Sequence, residues 1–264
     1  MSNAKQRFLD LPPEILARIL RQTTTARFAA CQTCHLLCSI IHDVIGYHKI
    51  KISPEQTKTV VKHAGILRNT YIILDADFND DLIKEFAGVR MIYLQGIYIT
   101  DEGVKVLALS GVQRIVLKNT FITDESLIAL AGIYEIDLSN TSVTDKGIKA
   151  LRGVHTICLY CTDVTDEGVK ALSGVHTINV SYTAVTDEGI TALKGVHNIN
   201  VSGTSVTDEG IRALRSVHTI NVSHTSVTDE GIKSLTGIHT IFAFSACVTR
   251  KCVKEHPSIC DYFL

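Results

Sequence analysis

The sequence predicts an α/β solenoid, with parallel strands on a concave face and short helices on a convex face, preceded by an all-helical N-terminal domain. Three observations predict it. A 21-residue pattern recurs along most of the chain. Within each copy, apolar residues first alternate as in a strand and then recur at helical spacing. Between the two stretches most copies carry Thr-Asp-Glu, a helix N-cap followed by acidic residues suited to the helix dipole. A fixed period of this size is the signature of stacked repeats.

The clearest copies begin at Gly132 (GIYEIDLSNTSVTDKGIKALR), Gly153 (GVHTICLYCTDVTDEGVKALS), Gly174 (GVHTINVSYTAVTDEGITALK) and Gly195 (GVHNINVSGTSVTDEGIRALR). Ser216 and Gly237 begin two more, Gly111 begins an earlier one, and Gly88 begins one with two extra residues. Residues 67–87 fit a degenerate copy. Numbered from the first residue, apolar side chains hold positions 2, 5, 7, 12, 17 and 20, with Thr at 10. Positions 2 to 12 therefore resemble the leucine-rich-repeat pattern L-x-x-L-x-L-x-x-N-x-L, with Thr in place of Asn. The resemblance covers about residues 67–255.

Each element follows from this numbering. Positions 5 and 7 point to one side of a strand. Position 13 caps a helix, and positions 17 and 20 share one of its faces. A single unit cannot bury these side chains, whereas a stack gives a continuous core. Thr120, Thr141, Thr162, Thr183, Thr204 and Thr225 form an inward column. Their hydroxyls are expected to satisfy loop backbone groups, as the Asn of leucine-rich repeats does.

Residues 1–50 do not repeat. FLDLPPEILARIL (8–20) reads as an amphipathic helix started by proline. A second helical stretch, TARFAACQTCHLLCSIIHDVIG, follows. The first string resembles the opening of an F-box, L-P-x-E-[IL]-L-x-x-I-[FL], and residues 27–37 resemble its second half. Leu37 stands where that family commonly has Trp, and the loop between the helices is shorter and Thr-rich. This resemblance covers about residues 8–50. It implies docking on the Skp adaptor, and through it on the cullin, of a ubiquitin ligase. It places adaptor contacts at Leu11, Pro12, Pro13, Ile15, Leu16, Ile19 and Leu20. The repeats would then hold a protein substrate. The competing reading is a helical cap on the open end of the solenoid. Residues 51–66 are the expected linker, and 256–264, with Ile259, Tyr262, Phe263 and Leu264, the expected cap over the last repeat.

Composition narrows the function. The 264 residues hold 26 Lys and Arg against 27 Asp and Glu, so no basic excess suggests a nucleic-acid partner. There is no long apolar run for a membrane span and no secretory core near the start. Eight scattered cysteines fit reduced thiols in cytoplasm or nucleus, or in a host cytoplasm for a secreted effector. Cys31-Gln32-Thr33-Cys34-His35 matches a haem-attachment string, but its cysteines fall at the spacing of buried helix residues, and a zinc site there would need all its ligands on one helix. Cys161-Thr162-Asp163 resembles the C-x-D string of bacterial leucine-rich-repeat ubiquitin ligases, but Thr162 is a column position. No hydrolase, phosphate-loop or metalloprotease motif is present. The chain is expected to be non-enzymatic and to need no cofactor or metal.

Differences between near-identical copies mark candidate binding residues. Positions 3, 4, 6 and 8 are expected to face the concave side, and 9 and 11 its edge. In the middle copies they are Asn, Ser and Thr. Aromatic and charged residues lie towards the ends: Tyr93, Arg114, Lys118 and Tyr134 in one cluster, with Tyr98 and Phe121, and Tyr160, Tyr182, His224, Phe242 and Phe244 in the other. Phe242 and Phe244 either form an aromatic anchor or lie under the C-terminal tail. His155, His176, His197, His218 and His239 all hold position 3, so parallel strands should stack their rings in one row. Repeat duplication by itself accounts for such a row, and a metal row would lack any Cys or carboxylate in the same column; charged neighbours at that spacing repel by roughly 1 kcal/mol per pair in water, so the solenoid is expected to lose stability below about pH 6.

Overall fold

A computed structural model describes residues 48–52, 70–74, 78–86, 88–96, 98–214, 217–256 and 258–260. The expected helical domain, with its adaptor contacts Leu11, Pro12, Pro13, Ile15, Leu16, Ile19 and Leu20, lies outside the described residues except for 48–50. The chain divides into two compact units, Met1–Ile115 and Val116–Leu264.

In the first unit, strands β1 (His48–Ile52), β2 (Thr70–Leu74) and β3 (Met91–Tyr93) pair in parallel and in chain order. β1 crosses the expected boundary at residue 50 and precedes β2 by about one repeat length, His48 lying opposite Thr70. The strand ladder therefore starts earlier than the side-chain periodicity reveals. Helices α1 (Asp80–Ile83) and α2 (Asp101–Leu109) follow β2 and β3. The Asn79 side chain accepts from the amides of Asp81 and Leu82, and that of Thr100 from Glu102. Phe78 and Phe86, both buried, pack with ring centroids 5.9 Å apart. The boundary between the two units falls within β4 (Arg114–Val116).

The second unit repeats one design. Strands β5 (Glu135–Asp137), β6 (Thr156–Cys158), β7 (Thr177–Asn179), β8 (Asn198–Asn200), β9 (Thr219–Asn221) and β10 (Thr240–Phe242) pair in parallel, each in register with the next. β11 (Ile259–Cys260) joins the far edge, with Phe242 opposite Cys260. Helices α3 (Asp124–Ala129), α4 (Asp145–Ile148), α5 (Asp166–Lys170), α6 (Asp187–Thr191), α7 (Asp208–Arg212), α8 (Asp229–Ser234) and α9 (Arg250–Glu255) each begin at the expected Thr cap. The apolar positions are the core: Ile178, Val180, Val185, Ile190 and Leu193 are all no more than 1% exposed. Each such side chain contributes roughly 1.5–3 kcal/mol through burial. The threonine column is buried as well, and each hydroxyl donates to the position 7 carbonyl of its own repeat, Thr183 to Val180 and Thr204 to Val201 at 2.6 Å. A hydroxyl in the column thus satisfies one carbonyl that the turn would otherwise strand.

Two structural devices tie repeats together. The cap threonine is shared between neighbours. Its oxygen accepts from its own helix, as Thr186 does from the Glu188 amide at 3.3 Å. Its hydroxyl and amide also donate to the first Asp of the preceding helix: Thr186 Oγ1 to Asp166 Oδ2 at 2.7 Å and Thr186 N to Asp166 Oδ1 at 2.8 Å. The same rung recurs from Asp124–Thr144 to Asp229–Thr249. Position 16 is Gly in the five inner copies, Gly147, Gly168, Gly189, Gly210 and Gly231, where this Asp passes close by, and Ser126 and Cys252 hold it in the flanking copies; a Cβ on Gly189 would lie 2.5 Å from Asp166 Oδ1 and 3.1 Å from its Cα.

The second device is at position 9. Asn119, Asn140, Cys161, Tyr182, His224 and Ser245 all have φ between 51° and 56°. From Asn119 to His224 this left-handed turn directs the amide at the next repeat, Asn140 N to Tyr160 O at 2.9 Å and Tyr182 N to Ser202 O at 2.9 Å. Asn tolerates the conformation and most other residues do not. Replacing exposed Cys161 by Asn should therefore raise stability by about 0.5–1 kcal/mol, seen as a higher urea midpoint. An unchanged or lower midpoint would contradict a strained turn.

The last of these rungs, Asp229–Thr249, also sets an acid limit. Hydrogen bonds from the Thr249 hydroxyl and amide hold Asp229 below the usual carboxylate range. A depressed carboxylate stabilises the fold fully above its unfolded value of about 3.9 and loses that contribution as pH falls through the lower folded value. Amide exchange in α9 should accelerate below about pH 4 relative to the repeat core, and equal protection down to pH 3 would contradict the rung.

Candidate functional site: the strand face and rim of the second unit

The strand face follows from period-two geometry. The middle residue of each strand points inward, while the residues on either side, Thr177 and Asn179 in β7, are half-buried. His155, His176, His197, His218 and His239 lie one position ahead of β6 to β10. Backbone bonds fix their register, His176 N to His155 O at 3.1 Å and His218 N to His197 O at 2.8 Å. Their rings stack at centroid spacings of 4.6 to 4.7 Å and interplanar angles of 4° to 28°. The expected row is present, and Tyr134 extends it, stacking on His155 at 4.6 Å and 13°. Sequence reasoning placed Tyr134 in a separate cluster, although its position 3 was the available signal. The next residue's hydroxyl meets the ring nitrogen Nδ1 at 3.2 Å for His155–Thr156, 3.1 Å for His176–Thr177 and 2.8 Å for His239–Thr240.

Positions 6 and 8 behave differently from expectation. The serines at position 8 do not look out across the face; Ser139, Ser181, Ser202 and Ser223 are buried. The cause is local. Asn179, Asn200 and Asn221 each accept the amide of the serine two residues on at 2.9 Å, and Asp137 does the same for Ser139. The Asn-Ser lawn therefore satisfies itself. Cys158 takes the position 6 place in β6, with its sulfur 3.1 Å from the Ser139 hydroxyl. Burial, then the nearby Asp137 charge, push its thiol upward, away from nucleophilic character. Cys158, Cys161, Cys247 and Cys252 form no disulfide.

The rim beside the face carries the aromatic residues. Tyr160 and Tyr182 meet edge to face at 5.6 Å, and His224 and Phe244 at 5.3 Å. Tyr182 and Phe244 are half exposed, at 49% and 50%. Between the pairs lies Gly203, whose missing side chain makes room for the Tyr182 ring; a Cβ there would lie 2.8 Å from Tyr182 Cε1. The left-handed turn at position 9 is what turns Tyr182 and His224 onto this rim. Phe242 is half-buried in β10 beside β11, while Phe244 stays exposed. Ser258 fastens the tail by its hydroxyl to the Ile238 carbonyl and by its carbonyl to the Ile241 amide, both at 2.8 Å. Residues 261–264 lie outside the described residues.

The other candidate cluster falls in two units. In the first, the Tyr93 hydroxyl donates to Gln95 Oε1, and Arg114 Nη1 lies 3.8 Å from the Met91 sulfur. In the second, Lys118 is half-buried, Phe121 is 72% exposed, and Tyr134 ends the histidine row. The helix side of the second unit carries surface ion pairs. Lys170 lies between Glu167 at 2.8 Å and Glu188 at 2.6 Å, and their hydrogen bonds raise its ammonium. Among the described residues no cluster of His, Cys, Asp and Glu could hold a metal ion, and no helix is long and apolar enough to cross a membrane.

A sequence profile of the Leucine Rich repeat matches residues 213–235. No curated protein sequence matches the chain. Among solved structures, internalin C2 from Listeria monocytogenes is similar over 78% of this chain and 89% of its own, at TM-score 0.53 and 17% identity. The internalin inlF of the same organism is similar over 81% and 86%, at TM-score 0.50 and 11% identity. The TLR13–ssRNA13 complex is similar over 76% of this chain at TM-score 0.52 and 12% identity, and this chain spans 33% of the TLR13 chain. With the parallel ladder, the inward threonines and the short helix of each repeat, these similarities identify the fold as a leucine-rich-repeat solenoid.

Proposed function

We propose that the chain is a non-catalytic protein-binding receptor: the strand face and aromatic rim of the second unit hold a protein substrate, and the N-terminal helices dock the Skp adaptor of a cullin-based ubiquitin ligase. The observation that carries the binding role is the rim. Tyr160, Tyr182, His224 and Phe244 are set in two edge-to-face pairs beside a self-satisfied polar face. Aromatic side chains that stay half exposed on a rigid scaffold are the usual anchors of protein interfaces. The ubiquitin role is supported by the LPPEIL string at 11–16, followed by repeats that need a partner to act on. The partner enzymes supply catalysis, and the site of action is cytoplasm or nucleus.

The alternative is an interaction solenoid without ubiquitin chemistry, whose N-terminal helices only cap the stack. It is favoured by the likeness in fold to the internalins. Proximity labelling in cells separates the parts. Tyr182→Ser with Phe244→Ser should remove the substrate and keep the adaptor. Leu16→Asp with Ile19→Asp should remove the adaptor and keep the substrate. A partner set unchanged by the rim substitutions would overturn the rim as the docking surface.

A further inference from the structure

We propose that the histidine row is a docking strip for an acidic polypeptide, engaged when the rings are protonated and released when they are neutral. The proposal rests on the reading above that the strand face of the second unit binds protein, and it names the chemistry of that partner.

The inference comes from what the face lacks. From His155 to Ser245, positions 3, 4, 6, 8 and 9 of the repeats contain no Lys, Arg, Asp or Glu. The ionisable side chains there are imidazoles, two tyrosines and two cysteines, and only imidazole changes charge between pH 5 and 8 in water. Five of the imidazoles form one continuous row with centroids 4.6 to 4.7 Å apart, and all are half-buried or exposed. A sixth, His224, is exposed on the rim. The face is thus neutral when its rings are neutral and densely positive when they are charged.

The groups around the row are compatible with this. Thr156, Thr177, Asn198, Thr219 and Thr240 flank the rings on the strand side and carry no charge. Tyr134 closes one end, and Glu135 and Asp137, which follow it in β5, lie in register with Thr156 and Cys158 and are the acidic groups nearest the row. Arg152 and Lys194 are exposed in the turns ahead of His155 and His197. At the other end β11 follows β10, with half-buried His256 in the turn before it. Cys158 lies in β6, and burial keeps its thiol protonated.

Stacked imidazolium rings repel one another, and a row of carboxylates laid along them removes that repulsion while adding charge-assisted hydrogen bonds. The hydroxyl and amide groups of the neighbouring column offer carboxylates further donors. A nucleic-acid strand is the weaker fit. Its binding draws on lasting Lys and Arg contacts with successive phosphates, and the face provides none.

The test uses the full chain and a fluorescent ten-residue poly-glutamate peptide, by anisotropy at pH 5.5 and 7.5 and constant ionic strength. Binding at pH 5.5 should be at least about tenfold tighter than at pH 7.5. The His176→Gln, His197→Gln, His218→Gln triple variant, exposed or half-exposed at every substituted site, should lose most of that ratio while unfolding at the same urea concentration at pH 7.5. A ratio kept by the folded triple variant would overturn the proposal, as would equal affinity at the two pH values. Tighter binding of a dT10 oligonucleotide than of the peptide at pH 5.5 would overturn the choice of a polypeptide. A cellular substrate that depends on Tyr182 and Phe244 but not on these histidines would sink this inference and leave the proposed receptor function standing.

Discussion

Gly189→Ala should be among the most damaging single-methyl changes in the second unit, costing about 2–3 kcal/mol. The new Cβ would meet the preceding repeat's first Asp, 2.5 Å from Asp166 Oδ1 and 3.1 Å from Asp166 Cα. Ala is the better helix former, by nearly 1 kcal/mol over Gly in exposed helix interiors, so propensity alone predicts the opposite sign. The backbone atom decides which effect wins. A carboxylate oxygen can swing away, although it then loses its two bonds to Thr186, but the Asp166 Cα moves only if one repeat moves against the next. Urea unfolding followed by circular dichroism measures the change. A midpoint equal to or above that of the parent chain would show that these repeats can separate at little cost and that Gly189 is not a packing requirement.

Asp166→Ala should cost about 2 kcal/mol from the lost bonds to a charged acceptor, scaled down because the carboxylate is half exposed. It leaves a Thr186 amide and hydroxyl to find water. The double variant is more informative than either single one. Removing the Asp166 carboxylate also removes the nearest obstacle to a Cβ at position 189, so Gly189→Ala should cost less in the Asp166→Ala background by about 1 kcal/mol or more. Strict additivity would mean the carboxylate and the glycine are not in contact. Because repeats unfold as coupled neighbours and not as one block, the comparison is best made on amide exchange of α5 and α6 as well as on the global melt.

The repeat body was largely legible in the sequence because one periodic pattern carried both periods at once. Alternation at positions 5 and 7 set the strands, and the Thr-Asp-Glu start set the helices. Every inward position from Ile133 to Leu214 is buried as the spacing requires. What the sequence hid were contacts between repeats. Asp166 read as a residue suited to the helix dipole, and its bond to Thr186 twenty positions on has no local signature. The same holds for Gly189, which reads as a poor helix residue until the neighbouring Asp is in place. Position 9 was hard for another reason: its residues are chemically unrelated, Asn140, Cys161, Tyr182, Gly203 and His224, and share only a left-handed turn imposed by the repeat. Of the candidate site, the histidine row followed directly from parallel strands in register. The inward position of the serines did not, because it depends on the Asn-Ser hydrogen bond closing within each strand end.

The ubiquitin-receptor reading is tested most directly by titrating the full chain with purified Skp adaptor in a calorimeter, beside the Leu16→Asp, Ile19→Asp double variant. The expected result is a dissociation constant of about 10 μM or tighter, lost in the double variant while its repeats melt at the parent temperature. A folded chain that shows no heat of binding at tens of micromolar adaptor would contradict the ligase role and leave an interaction solenoid with a helical cap.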